Sequence, residues 1–184
     1  MKPAADTLQA CRRWLEEAVI GLGFCPFAAA PYLEGRVRWR LEPAAELKEV
    51  LLALWEEAQH LQHTPPSIAE TTLLVLPHAP ISFEGFWAWV QVAEALLAEA
   101  GLEGALQLAS FHPQYRFANS EAGDLGNYTN RSPAPILHLL REESVSRAVA
   151  GHPDPHGIPA RNVARLNQMG RRAVQELWQT FQQA

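Results

Sequence analysis

The chain has 184 residues, 48% of them hydrophobic and 19% charged, with a formal net charge of -5. That length encloses one substantial core and fits a single domain, and an acidic balance gives no electrostatic reason to expect a nucleic-acid partner. The most apolar stretch, Phe83 to Leu97, is interrupted by Glu84, Gln91 and Glu94 and falls short of the ~18 to 20 uninterrupted apolar residues a bilayer span requires, so no membrane partner is expected.

Met1 to Asp6 carries one lysine and no apolar run, which is not the layout of a secretory signal, and a cytoplasmic location is the expectation. In a reducing compartment Cys11 and Cys25 are expected as free thiols.

From Asp6 to Leu22, Leu8, Cys11, Leu15, Val19 and Leu22 recur at helical spacing, with Asp6 as the cap. Arg36 to Leu41 alternates polar and apolar residues, as an edge strand covered on one face does. After Pro43, Leu47, Val50, Leu51, Leu54, Ala58 and Leu61 lie on one helical face until Thr64-Pro65-Pro66. Thr71 to Leu76 reads as a central strand ended by Pro77, and Ser82 caps a helix that runs to Ala100 and stops at Gly101. Ala105 to Phe111 completes a β-α-β-α-β order, which favours parallel crossovers on part of the sheet, although the first strand is also compatible with antiparallel pairing.

His112 to Arg131 then loses all periodicity, and a long irregular segment inside a compact domain is commonly functional. Phe111, Tyr115, Phe117 and Tyr128 argue that it is pinned to the body. Helices are predicted from Pro133 to Arg141, from Ser144 to Ala150 and from Pro159 to Phe181. The expected fold is thus α/β: a small mixed or parallel sheet of about three strands flanked by helices, with a helical C-terminal part, in one domain.

The chemistry concentrates in and around the irregular segment. In Asn127-Tyr128-Thr129-Asn130-Arg131-Ser132-Pro133, Ser132 reads as an N-cap and Pro133 as the first helical residue. Free amides, the helix dipole and a guanidinium together suit a phosphate or carboxylate. A well-capped helix beside an exposed arginine accounts for the same residues. Between His112 and Arg141, Arg116, Arg131 and Arg141 outnumber Glu121 and Asp124, so the local field leans positive.

His78 and His112 follow the second and third strands, and if those strands are parallel neighbours both imidazoles reach the carboxyl edge of the sheet, where α/β proteins place ligands. The plainer account is a histidine beside a proline in a turn. Cys25, in Phe24-Cys25-Pro26-Phe27, resembles the Cys-Pro pair of thiol enzymes or haem ligands, but it follows a helix, and a packing cysteine accounts for it as well. His152-Pro153-Asp154-Pro155-His156 holds three ligand types at alternating positions, yet the same residues make an ordinary rigid linker. His138, Arg141 and Glu142 share one face of the predicted helix, as a local ion pair or a solvated surface. No nucleophile elbow, no phosphate-binding Gly-Lys-Ser/Thr loop and no complete dinucleotide fingerprint is present.

Gly23 to Phe27, Ser110 to Phe117, Asn127 to Pro133 and Leu137 to Glu142, in this order, resemble an uncharacterised family of bacterial and plant proteins, the domain of unknown function 1415. The resemblance spans nearly the whole chain, including Ile158-Pro159 and Asn162. It implies a single domain and names no reaction. Cys25, His112, Tyr115, Asn127, Asn130, Arg131 and His138 fall in its motifs, whereas His78 and His156 do not.

The leading expectation is an enzyme acting on a small anionic metabolite bearing a phosphate or carboxylate. Arg131, Asn130 and the amides after Ser132 bind the anion, Arg116 assists, and Asn127, Tyr115 and His138 complete the ligand-binding set. His112 acts as acid or base, and Cys25 as nucleophile if the fold brings it to the loop. The alternative is a non-catalytic binding module, for haem or a partner protein, that uses Cys25-Pro26 and the aromatic loop. A scaffold whose loop merely completes the core is the third option. The leading expectation requires Cys25, His112 and Arg131 to converge on one pocket.

Overall fold

The computed structural model describes residues 4–183. At its centre lie four strands, β1 (Val37–Leu41), β2 (Thr71–Val75), β3 (Leu106–Phe111) and β4 (Ile136–Arg141), in the spatial order β1-β2-β4-β3. β1 and β2 are parallel, and β4 runs antiparallel to both of its neighbours, with His138 opposite Leu73 on one side and Ala109 on the other. The three predicted strands and their crossover helices, α3 (Leu47–His63) and α4 (Phe83–Glu99), are present, so the α/β expectation holds with one strand more.

That strand is a correction. Pro133 to Arg141, expected as a helix capped by Ser132, instead supplies β4 at the middle of the sheet. Ser132 and Ala134 each precede a proline, which drives both residues away from helical backbone angles. Ile136, Leu137, Leu139 and Leu140 then form a run that is apolar on both sides, as a strand between two others requires. With no helix beginning at Ser132, the amide cradle and dipole expected there do not exist.

The pleat sorts the core. Leu74, Leu137 and Leu139 face α3 and α4, packing with Val50, Leu54, Leu61, Phe86 and Val90. On the opposite face Leu73, Val75 and Ile136 meet α1 (Ala4–Trp14) and α7 (Arg171–Gln183) through Cys11, Trp14, Val174 and Phe181. Both cysteines are free thiols, and burial pushes the Cys11 thiol up to about 12.

Two helices differ from their predicted form. The first is α-helical only to Trp14 and continues as a π-helical segment, Leu15–Ile20. The last divides into α6 (Ile158–Met169) and α7 at Gly170, where a φ of 82° breaks the helix without the clash that a Cβ would bring. The remaining α-helices, α2 (Ala29–Leu33) and α5 (Glu142–Gly151), contain no buried residue and flank one end of the second sheet face.

Candidate functional site

A cavity of about 790 Å³ lies between that end of the sheet and the α2 and α5 helices. The alternation that buries Leu73 also points Ala109, Phe111, His138 and Leu140 to this face, and they make its floor. Trp14, Leu15 and Val19 form an apolar wall at the junction with the π-helical segment. π-Helical turns are rare and often accompany functional sites, since the inserted residue re-aims the side chains around it. Trp14 meets Phe111 edge-on at 5.0 Å, and its sealed indole N–H is the single buried side-chain polar atom without a partner among the described residues.

His138 is the polar feature of the floor. Its Nε2 lies 2.6 Å from Thr71 Oγ1, and that hydroxyl commits its only proton to Leu139 O at 2.5 Å. Thr71 therefore accepts from the imidazole, which fixes the N–H on Nε2 and leaves Nδ1 as a lone pair. Burial lowers the pKa of His138 to about 4, so the ring is neutral at pH 7.

Cys25, Pro26 and Phe27 form another wall. Burial raises the Cys25 thiol pKa, and the neighbouring backbone amides of Phe27 and Ala28 offset only part of that rise. The lining also holds Arg36, Arg141 and Arg147 with Glu70. Arg36 pairs with Glu70 at 2.6 Å and with Glu34 at 2.7 Å, while Arg147 is exposed and lies 3.7 Å from Glu143. Arg141 donates to Leu61 O, Thr64 O and Ala69 O, tying the end of β4 to the C-terminal end of α3, where the helix dipole favours a cation.

The expected convergence of Cys25, His112 and Arg131 does not occur: each lines a different recess. β3 does run in the same direction as β2, so His78 and His112 share a recess of about 240 Å³ at one sheet edge, but β4 separates the two strands. His112 is buried, with Nε2 on Pro80 O at 3.1 Å and Nδ1 accepting from the Gln114 amide at 3.0 Å. Both ring nitrogens are thereby occupied, and desolvation lowers its pKa.

Arg131 and Arg116 line a third recess of about 320 Å³ with Glu84. Arg131 is heavily engaged: Nε donates to Tyr115 O at 3.2 Å, Nη2 to Ala122 O at 2.9 Å, and the guanidinium covers the Tyr128 ring at 4.4 Å. Arg116 lies 3.8 Å from Glu84 in an exposed pair. Asn130 donates to Ser110 O. Asn127 is fully buried, accepting from the Phe117 amide and the Ser120 hydroxyl and donating to Glu121 O. Ser132 is buried and donates to Ala134 O. These side chains satisfy the backbone of the irregular segment and hold it to the body.

The His152 to His156 linker is closed on itself by the ion pair of Asp154 with Arg161 and by the Asp154 amide donating to His152 Nδ1. Among the described residues no group of three or more His, Cys, Asp or Glu is placed to hold a metal ion, and no helix is long and apolar enough to cross a membrane.

Of the residues singled out in the sequence, Cys25, Phe111, His138 and Arg141 line the large cavity, whereas His112, Tyr115, Arg116, Asn127, Asn130, Arg131 and Ser132 do not. Thr71, Arg36 and Arg147 escaped sequence reasoning. The available signal for the floor was Ile136-Leu137-His138-Leu139-Leu140 itself, where read at a period of two the histidine falls on the same face as Ile136 and Leu140.

The motifs that frame the cavity, Phe24 to Phe27 and Leu137 to Glu142, belong to a wider match: residues 6–176 fit the family described as Protein of unknown function (DUF1415). The chain belongs to the DUF1415 family. No curated protein and no solved structure matches it. In this DUF1415 protein the matched region includes every residue that lines the large cavity.

Proposed function

We propose that this protein binds a small, largely apolar molecule carrying an acidic group, in the cavity lined by Cys25 and His138. The observation that carries the reading is the cavity of about 790 Å³ on the sheet face, a volume within the range of small-molecule sites, with an apolar floor and few polar groups. The adjoining π-helical segment supports it. Of the three arginines in the lining, Arg36 and Arg147 are paired with glutamates, and Arg141, whose bonds go to backbone carbonyls, leaves its charge for a carboxylate or phosphate. α5 supports it further: Val145 and Ala148 of this helix line the cavity although none of its residues is buried, so a bound apolar body supplies the packing partner that α5 lacks.

The test uses the fluorescent apolar anion anilinonaphthalene sulfonate. Ala109→Trp fills the floor, so dye binding is lost while the circular dichroism and melting profile remain native. Undiminished dye binding in a natively folded Ala109→Trp variant sinks the reading.

A second reading has the same cavity hold haem, with Cys25 as the axial ligand; the position of the Cys25-Pro26 pair on its wall favours it. Haem titration decides this, because a Soret band that is the same for wild type and Cys25→Ser removes Cys25 as the ligand.

A further inference from the structure

The floor of the cavity holds an acceptor with no donor. Among the described residues no protein group donates to His138 Nδ1, whose ring is held from the other side by Thr71. Were Nδ1 sealed from solvent it would join Trp14 Nε1 as an unbonded buried atom; it does not, so it opens onto the space that its residue lines. Cys25, which shares the lining, makes no hydrogen bond to the imidazole.

A lone pair in an apolar pocket discriminates by what it leaves unmade. A ligand that buries it without a donor forfeits the bond to water and gains nothing in return, whereas a hydroxyl or N–H recovers it. The ring cannot turn to present an N–H, because flipping it would break the bond to Thr71, whose proton is already given to Leu139 O.

We infer that the ligand of this cavity carries, besides its acidic group, a hydrogen-bond donor, a hydroxyl or an N–H, on the part of its apolar body that rests on His138. This inference rests on the cavity reading above. A phenolic or hydroxylated acid has both groups.

The experiment compares naphthoic acid, its derivative with a hydroxyl on the ring remote from the carboxylate, and the methoxy analogue of that derivative, by calorimetric titration. Wild type is expected to bind the hydroxy acid about tenfold more tightly than the parent or the methoxy compound, the effect of one neutral hydrogen bond in a desolvated site. In His138→Phe, which keeps a ring on the floor and leaves the Thr71 bond to Leu139 O intact, the three acids bind within about twofold of one another, the residue of a bond no longer made. Nitrogen NMR of the wild type supplies a second readout that does not depend on the variant folding: the unprotonated Nδ1 resonance shifts with the hydroxy acid and not with the methoxy acid. If all three bind wild type alike, or the Nδ1 resonance is indifferent to the hydroxyl, the donor inference falls and the cavity reading stands. If none of them binds, the cavity reading falls and takes the inference with it.

Discussion

Thr71 Oγ1 and His138 Nε2 lie 2.6 Å apart across the β2–β4 pair, and because the threonine proton goes to Leu139 O the imidazole must be the donor. Thr71→Val removes the acceptor and keeps the shape. The Nε2–H is then left without a partner on the floor, and a destabilisation of about 1 to 2 kcal/mol is expected in urea unfolding. In the same variant the imidazole loses its tautomer preference, which nitrogen NMR detects as a mixture in place of one form.

Stability should fall with acid earlier than carboxylate titration alone would bring. His138 is held near 4, against an ordinary value of 6.5, by burial. The folded chain therefore binds fewer protons than the unfolded chain between these values, so stability is full above about 6.5 and declines as pH falls toward 4. The loss from this group is roughly 3 kcal/mol between pH 7 and pH 4. His112, whose pKa is also lowered by desolvation, acts in the same direction. In His138→Phe the slope of unfolding free energy against pH in this window should be shallower, and an unchanged slope would contradict the assignment.

Glu57 is the charged anchor on the opposite face of the sheet. Burial pushes its carboxyl up, but hydrogen bonds and charge from Arg38 and Arg40 more than reverse this and hold it below the ordinary carboxylate range. Arg38 meets it at 2.6 and 3.1 Å, and Thr72 donates from 3.3 Å. Glu57→Ala removes the carboxylate that Arg38 and Thr72 bond, while Arg40 keeps Glu56, and should cost about 1 to 3 kcal/mol. Glu57→Gln retains bonding capacity and should cost less, an order that denaturant titration of the two variants checks.

Asn127 holds the irregular segment by three side-chain bonds to Phe117, Ser120 and Glu121. Asn127→Ala leaves those backbone groups unmatched, with an expected cost of about 2 kcal/mol. Limited proteolysis should then cut between Phe117 and Asp124 at protease levels that leave wild type intact, while the cavity, on a different part of the sheet, keeps its dye affinity.

α5 should report on the cavity. It has no buried residue and follows β4 without a loop, so its amides are expected to exchange among the fastest of the helical ones in hydrogen-exchange mass spectrometry. Saturating anilinonaphthalene sulfonate should slow that exchange and leave α3 unaffected.

The local sequence was enough to specify α3, β2, α4 and their order, because each carries its own periodicity and its own stop: Thr64-Pro65-Pro66, Pro77 and Gly101. It also marked Cys25 and His138 as residues of interest. Whether Ile136 to Arg141 was a strand or a helix was not a local question. A short apolar run satisfies either, and the choice fell to the strand because β2 and β3 present unpaired edges that only an inserted strand satisfies on both sides. That insertion turned His138 from a helix surface onto the floor of a cavity. His112 and Arg131 meanwhile spend their polar atoms on backbone groups, of Pro80 and Gln114 and of Tyr115 and Ala122. Period and punctuation act over a few residues and can be read in sequence, whereas pairing partners are chosen among segments many residues apart, by hydrogen bonds that no single segment contains.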